Sequence, residues 1–311
     1  MDNLNLKNHP LYRNYTIDTA ISSLFDFYKN NFIKLFVLSL VMSAALQYVS
    51  AYFDIASFQN ETDINALIEK MRELMIPFSI IALINLFFSI IIQHYIMFSP
   101  LDENSSVLNS GVSSFKYVFP YIVTVILFSI FGGMAIALGA VVFIIGAFFA
   151  IFYVITLYLF ILPVMMIEGA DIGNTINRTF KLAHKNFWSN IGWVVVFLML
   201  LVLISFIISG LIIAPFAGNF LSSIFNPDEA ANFTEITQKP LYMALSAIAG
   251  AVTMPLMPLL SAILYFNSRA KEEKEQDHFT KIEEKKITVE DLYAKPYFDE
   301  HHDNQEKRHD S

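Results

Sequence analysis

Charged and amide side chains that could contact a lipid or a protein partner are concentrated just after a long apolar run, between residues 168 and 186. Asp171 is well placed to cap a helix and to complement its positive N-terminus. Arg178 lies about two turns into that helix, where it can pair with Glu168 or with the phosphate of an anionic lipid. Capping and snorkelling to headgroups is the structural interpretation, and a specific lipid or partner site is the functional one. The candidate contacts are Glu168, Asp171, Arg178, Lys181, Lys185 and Asn186.

Polar residues and prolines inside apolar runs mark where transport or catalysis would occur in a membrane. Asn85 lies near the middle of one run, and we expect it to hydrogen-bond to a neighbouring helix rather than to a substrate. His94 has no carboxylate near it in the same run, which favours a structural role over a proton relay. Pro163 can bend its helix near one end. Pro255 and Pro258 free backbone carbonyls that either line a carrier cavity or mark a kink needed only for packing.

Sequence motifs typical of soluble enzymes do not occur in this sequence. It contains no HExxH, GxSxG, P-loop or GxGxxG motif. With no cysteine, disulfides, thiolate nucleophiles and cysteine metal sites are excluded. We expect no cofactor, no resident metal and no nucleic-acid partner.

The elements that must position these side chains are membrane-spanning helices. The 51 residues from 117 to 167 contain no Asp, Glu, Lys, Arg or His, and one span needs roughly 20 apolar residues, so this stretch predicts a transmembrane hairpin. Four further charge-poor runs can each hold one span. The predicted fold class is all-α, a polytopic membrane protein whose six spans lie at about 32–53, 76–99, 119–139, 142–166, 189–213 and 241–267.

An internal repeat precedes three pairs of spans. Residues 17–32 align with residues 172–187 at an offset of 155, with five identities in sixteen positions. Both segments place apolar residues on one helical face, and a fainter third copy does so around residue 112. The predicted unit is an in-plane amphipathic helix followed by a transmembrane hairpin, with interfacial helices at about 16–30, 107–118 and 171–186. The alternative is that these are ordinary loop helices with chance similarity.

The distribution of basic residues predicts the orientation. With six spans, both termini and the loops 100–118 and 167–188 share one side, which holds 17 of the 20 Lys and Arg residues. The positive-inside rule then places both termini in the cytoplasm. No cleavable signal peptide is evident in the polar first 31 residues. The expected location is the cytoplasmic (inner) membrane of a bacterium.

Two segments carry a resemblance to a known group of proteins. Residues 161–188, ILPVMMIEGADIGNTINRTFKLAHKNFW, and residues 255–269, PLMPLLSAILYFNSR, resemble a broad family of six-span bacterial membrane proteins. That family includes the membrane domain attached to some glycerophosphoryl diester phosphodiesterases. The resemblance implies a fold and a location only. In the fused enzymes the reaction belongs to a separate soluble barrel, which this sequence does not contain.

The function expected from these features is non-enzymatic. We expect a scaffold, an assembly factor or a lipid-interacting accessory protein whose partners are membrane lipids and a membrane protein. A carrier or channel for a small or lipid-like molecule is the alternative, and an intramembrane lipid-processing enzyme is a more distant one. The six-span domain is predicted to occupy residues 1–270. Residues 271–311 are rich in charge and predict a disordered cytoplasmic tail, in which His301 and His302 are a weaker candidate for transient metal binding.

Overall fold

A computed structural model describes residues 5–50, 64–102, 106–141, 144–218 and 239–284 of the chain. Within these ranges the secondary structure is helical and contains no strand. Besides two short 3-10 turns there are nine helices in the described ranges: α1 (Ile17–Asn30), α2 (Phe32–Ser50), α3 (Ile64–Phe98), α4 (Val107–Val141), α5 (Ile144–Glu168), α6 (Ile172–Lys185), α7 (Phe187–Ile213), α8 (Pro240–Thr253) and α9 (Leu256–Glu284).

Six segments are long and apolar enough to cross a membrane, so the chain is an all-α polytopic membrane protein. Five of them are α2, α3, α4, α5 and α7, and the sixth combines α8 with the first part of α9. Large apolar side chains such as Phe206, which is 79% exposed, cover their outer faces. Hydrocarbon around the helices removes the cost that water would impose on these faces.

Two of the three predicted amphipathic helices form as separate elements, and the third does not. Helices α1 and α6 are each separated from the following span by a single residue, Asn31 after α1 and Asn186 after α6. The predicted break near residue 118 is wrong, because α4 runs without interruption from Val107 to Val141 through Pro120. Asn31 is not in the helical conformation, and its side-chain amide donates a hydrogen bond to the carbonyl of Phe27. Residues 117–119 are Tyr, Val and Phe, which offer no such local hydrogen bond to end the helix.

The second span is longer than predicted. Helix α3 begins at Ile64 rather than near residue 76, so the segment 64–75 continues directly into the span. This segment is rich in Leu, Met, Glu, Lys and Arg, which favour helix. The helix passes through Pro77, where the proline removes one backbone donor without ending the helix.

The last span is interrupted where the sequence places its two prolines. Helix α8 ends at Thr253 and α9 begins at Leu256, with Pro255 in the two-residue break and Pro258 in the first turn of α9. The predicted span 241–267 lies within one of the six candidate spans, and its helix is broken at the two prolines. Proline lacks the N–H that would bind the carbonyl four residues earlier. Thr253 Oγ1, in the last turn before the break, donates to the carbonyl of Ala249 at 3.2 Å.

A side chain from a distant helix also donates a hydrogen bond to the backbone at this break. The hydroxyl of Tyr28, on α1, donates to the carbonyl of Val252 at 2.9 Å. A hydroxyl side chain from a neighbouring helix can satisfy the backbone that a proline leaves without its helical bond. Burial raises the pKa of Tyr28 to about 12, so its hydroxyl stays protonated and remains a donor.

The core of the unit 1–270 is built around the first turns of α9. Leu259, Leu264, Tyr265 and Phe266 on this helix are fully buried. The spans contact one another in the order α2, α3, α4, α5, α7 and α8, and α8 contacts α2 again. Close approach between α2 and α8 depends on Gly250, because a Cβ there would meet Ser43.

A second unit, residues 271–311, follows this domain. Helix α9 continues into it as far as Glu284. The tail predicted to be disordered covers residues 271–311, and its first part, 271–284, is helical instead. Its remainder, 285–311, with His301 and His302, lies outside the described residues.

Candidate functional site

The carboxylate of Glu168 forms a polar cluster at the end of α5. Arg178 on α6 donates from Nε to Glu168 Oε2 at 2.6 Å. On the other oxygen, the hydroxyl of Tyr265 donates to Oε1 at 3.0 Å, and Arg269 Nε lies 3.9 Å away. We call these four residues the Glu168 cluster. It joins the end of α5 to both α6 and α9.

The surroundings of this cluster suit a structural role, in which it holds α5, α6 and α9 together. We call this role the latch. The side chains of Arg178 and Glu168 are only 12% and 17% exposed, so the ion pair is shielded from water and held by further hydrogen bonds. Of the two partners that the sequence allowed for Arg178, the structure shows Glu168.

The turn between α5 and α6 is closed by local hydrogen bonds. Asp171 caps α6, and its carboxylate accepts from the backbone N–H of Asn174 at 2.6 Å, which is the predicted cap. Gly169 has a φ of 113°, a left-handed conformation that favours glycine and ends the helix. Thr175 Oγ1 donates to the carbonyl of Asp171 at 2.7 Å. This turn fixes the direction in which α6 leaves the span.

The other predicted contacts on α6 lie outside the cluster. Lys181 and Lys185 are exposed on the face of α6 opposite its buried residues. Asn186 stands between α6 and α7 and is half-buried. Its Nδ2 has no hydrogen-bond partner in the part of the chain that the structure describes. A lipid or partner contact by these three residues stays a prediction.

Asn85 and His94 are not brought together with these groups. The side-chain amide of Asn85 donates to the carbonyl of Ile81 at 3.0 Å, within its own helix α3. Among the described residues Asn85 makes no hydrogen bond to another helix, and an acceptor one turn earlier in α3 satisfies one of its donors. His94 is buried with its ring 4.6 Å from that of Phe98 and 6.1 Å from that of Tyr117. Pro163 is buried within α5, which continues past it to Glu168.

A cavity of about 270 Å³ lies between α3, α4, α5 and α9. We call it the Gln93 cavity. Its wall is formed by Ser89 and Gln93 of α3, by Tyr121 of α4, by four residues of α5 including Leu162, and by three residues of α9 including Pro258. Leu162 is six residues from Glu168, or about 9 Å along a helix. The cavity is therefore in the span region, one to two turns from the Glu168 cluster.

Two of the five polar side chains on this wall, Ser261 and Tyr158, are already engaged. Ser261 Oγ donates to the carbonyl of Leu159 at 2.5 Å, and Tyr158 donates to the carbonyl of Val125 at 3.4 Å. By contrast, Gln93 Nε2 is buried and has no hydrogen-bond partner among the described residues. Such a donor costs about 1–3 kcal/mol when left unpaired. The chemistry that this cavity can perform is therefore to bind an apolar group that carries one hydrogen-bond acceptor.

The N-terminal segment closes one end of the domain. His9 Nε2 lies 3.0 Å from the carbonyl of Ile96, and His9 Nδ1 accepts from the N–H of Leu11 at 3.1 Å. Because Nδ1 is an acceptor, Nε2 must carry the proton and donate to Ile96. The ring stacks on Phe266 at 4.5 Å. Burial lowers the pKa of His9 to about 4, so the ring is neutral at pH 7.

Sequence reasoning did not select Gln93 or His9 as site residues. The only local signal for Gln93 is an amide inside the apolar run 74–101, which does not reveal that α9 passes beside it. His9 lies in a polar segment with no periodicity. No group of three or more His, Asp or Glu side chains that could hold a metal is found within the described ranges.

Comparisons of the chain with protein-family models, with curated proteins and with solved structures return no match. The resemblance drawn from residues 161–188 and 255–269 therefore remains a prediction.

Proposed function

We propose that this protein is a non-enzymatic, lipid-interacting accessory protein of the bacterial inner membrane, with both termini in the cytoplasm. The observation that carries the proposal is the Gln93 cavity. It lies between spans, its walls are mainly apolar, and it offers one unpaired amide donor. A glycerolipid has the complementary chemistry, since an ester carbonyl beside an acyl chain can accept one hydrogen bond while the chain fills the apolar space.

The cavity is large enough for part of a lipid but not for a whole lipid molecule. Pockets for drug-sized ligands have about 300–1,000 Å³, whereas this cavity has about 270 Å³. Gln93 lies five residues before the end of α3 at Phe98, or about 7.5 Å along the helix. That depth suits the ester region of a lipid, which lies just below the headgroups.

A scaffold or assembly role uses a different surface. Helix α6 is fixed by the Glu168 cluster and exposes Lys181 and Lys185. A rigid basic surface beside the membrane suits anionic headgroups or an acidic face of a membrane-protein partner.

A carrier is the second candidate, and the break between α8 and α9 favours it. Interrupted spans form binding sites in many carriers, and Pro258, next to this break, lines the Gln93 cavity. A carrier would have to open this cavity alternately to the two sides of the membrane.

The test is extraction into lipid nanodiscs, followed by native mass spectrometry of bound lipids and proteins. Ser89→Phe fills the cavity, and Gln93→Leu removes its unpaired donor. Ser79→Phe is the matched control, because Ser79 lies on the same helix, is exposed and bonds only its own helix. We expect the wild type and Ser79→Phe to retain equal amounts of phospholipid, and the two cavity variants to retain less, because the lipid bound in the cavity is lost.

Equal lipid retention by all four proteins would overturn the lipid assignment. Lipid or solute flux in proteoliposomes that stops in Ser89→Phe and in the double variant Pro255→Ala/Pro258→Ala would instead establish a carrier. Turnover of lipid in detergent that is lost on Glu168→Gln would establish an enzyme.

A further inference from the structure

A second cavity lies at the end of the domain that carries the N-terminal segment. It has a volume of about 450 Å³ and is lined by residues of the N-terminal segment, of α1, of the start of α2 and of the turn after α3. We call it the interfacial recess. None of its lining residues lines the Gln93 cavity, so the two are separate sites.

Charges of both signs line this recess. Arg13 and Lys34 contribute two cations, and Asp26 contributes one carboxylate. Neither Asp26 nor Lys34 has an ion pair or a hydrogen bond with any residue that the structure describes. Two opposite charges that line one cavity without pairing to each other are suited to a ligand that carries both charges.

Arg13 is held in place by its neighbours. Its guanidinium donates to the hydroxyl of Ser23 and lies 4.9 Å from the centre of the Tyr15 ring. Tyr15 is itself fixed, since its backbone N–H donates to Asn267 Oδ1 at 2.9 Å. A guanidinium has five N–H donors in a planar fork, so donors remain for a phosphate after the bond to Ser23.

The position of the recess points to a membrane lipid. Lys34 is the third residue of α2, which is the first span. From the residue before it onward, Ile33, Val37 and Val41 form an exposed apolar stripe along α2, with exposed fractions of 75%, 53% and 57%. A headgroup in the recess would therefore place its acyl chains along this stripe.

We propose that the interfacial recess binds the headgroup of a zwitterionic aminophospholipid, with its phosphate between Arg13 and Lys34 and its primary ammonium on Asp26. Each charge of a phosphoethanolamine group then meets an opposite charge. A phosphoglycerol group would leave Asp26 without a cation, and a choline group has no N–H to donate to the carboxylate.

The experiment measures lipid selectivity with the full chain in detergent, by native mass spectrometry with equimolar phosphatidylethanolamine, phosphatidylglycerol and phosphatidylcholine. Wild type should prefer phosphatidylethanolamine over each of the others by about fivefold, the upper range for a partly exposed charge pair. Asp26→Asn should abolish this preference, and Lys34→Met should weaken the binding of all three phospholipids. The matched controls are Asp18→Asn and Lys29→Met, on exposed positions of α1 outside the recess. Both should behave as wild type.

Several results would overturn the proposal. One is equal binding of the three lipids by wild type, and another is an unchanged selectivity in Asp26→Asn whose thermal unfolding matches that of wild type. Glycerophosphoethanolamine lacks the acyl chains, so we expect it not to displace the lipid at equal concentration. Displacement would show that the recess takes a soluble phosphate ester instead. Gln93→Leu should leave the selectivity unchanged, which separates this test from that of the Gln93 cavity.

Discussion

The phenol of Tyr265 donates a hydrogen bond of 3.0 Å to the carboxylate of Glu168, 97 residues earlier in the chain. This contact connects the buried part of α9 with the last residue of α5. Because Arg178 uses the other carboxylate oxygen, a single side chain sets the positions of three helices. The cluster thereby links the core of the domain to the α6 helix that carries Lys181 and Lys185.

Tyr265→Phe should destabilise the protein without changing its packing. The ring remains, and only the hydrogen bond to a charged acceptor is lost, so we expect the free energy of unfolding to fall by about 1–2 kcal/mol. Thermal unfolding in detergent measures the effect. Tyr242→Phe is the control, because the structure shows for Tyr242 an edge contact with Phe216 and no hydrogen bond within the described ranges. Equal melting temperatures of the two variants would contradict the prediction.

Glu168 and Arg178 should be energetically coupled. In a double-mutant cycle with Glu168→Gln and Arg178→Met, each single change already breaks the shielded ion pair. The double variant should therefore lose less stability than the sum of the two single losses. We expect a coupling energy of at least about 1 kcal/mol in denaturant unfolding. The cycle of Glu168→Gln with Lys181→Met should be additive, since Lys181 is exposed. Additivity in both cycles would rule out the latch.

Gly250→Ala should loosen the contact between α2 and α8. An added Cβ would clash with the hydroxyl of Ser43 and lie 3.2 Å from its Cβ, so we expect a loss of about 1–3 kcal/mol. Gly210→Ala on α7 meets no atom within 4 Å and should be neutral or slightly stabilising. Adding Ser43→Ala should partly restore the stability of Gly250→Ala. Melting curves of the wild type and these three variants decide this, and similar curves for Gly250→Ala and Gly210→Ala would disprove the close approach.

Docking of the N-terminal segment should weaken in acid. The pKa of His9 falls from 6.5 to about 4 on burial, so below pH 6.5 the released segment binds a proton that the docked segment does not. The stabilisation is complete above pH 6.5 and is lost as the pH falls toward 4, by about 3 kcal/mol in total. Hydrogen exchange of residues 9–15 should therefore accelerate between pH 6.5 and 4.5, after correction for the intrinsic rate. His9→Gln should remove this pH dependence, and if the variant keeps it, another group is responsible.

Much of the architecture can be predicted from the sequence because it depends on the summed hydrophobicity of residues that are neighbours in the chain. The run 117–167 lacks any charge, and the transfer of its residues to hydrocarbon is favourable whatever their neighbours are, so the spans α4 and α5 follow directly. The cap at Asp171 depends on residues three positions apart. The helix boundary predicted near residue 118 was wrong, because no Asn stands there to end the helix as Asn31 does.

The sites depend on residues that only the tertiary structure brings together. Ser261 bonds to Leu159, 102 residues away, and His9 bonds to Ile96, 87 residues away. The walls of the Gln93 cavity and of the interfacial recess depend on the register in which helices pack, and this register is decided by side-chain shape and by a few long-range hydrogen bonds. The sequence by itself determined that the chain is helical and surrounded by lipid, because partitioning is a property of each segment. Packing decided which polar groups share a cavity, because that is a property of pairs of segments far apart in the chain.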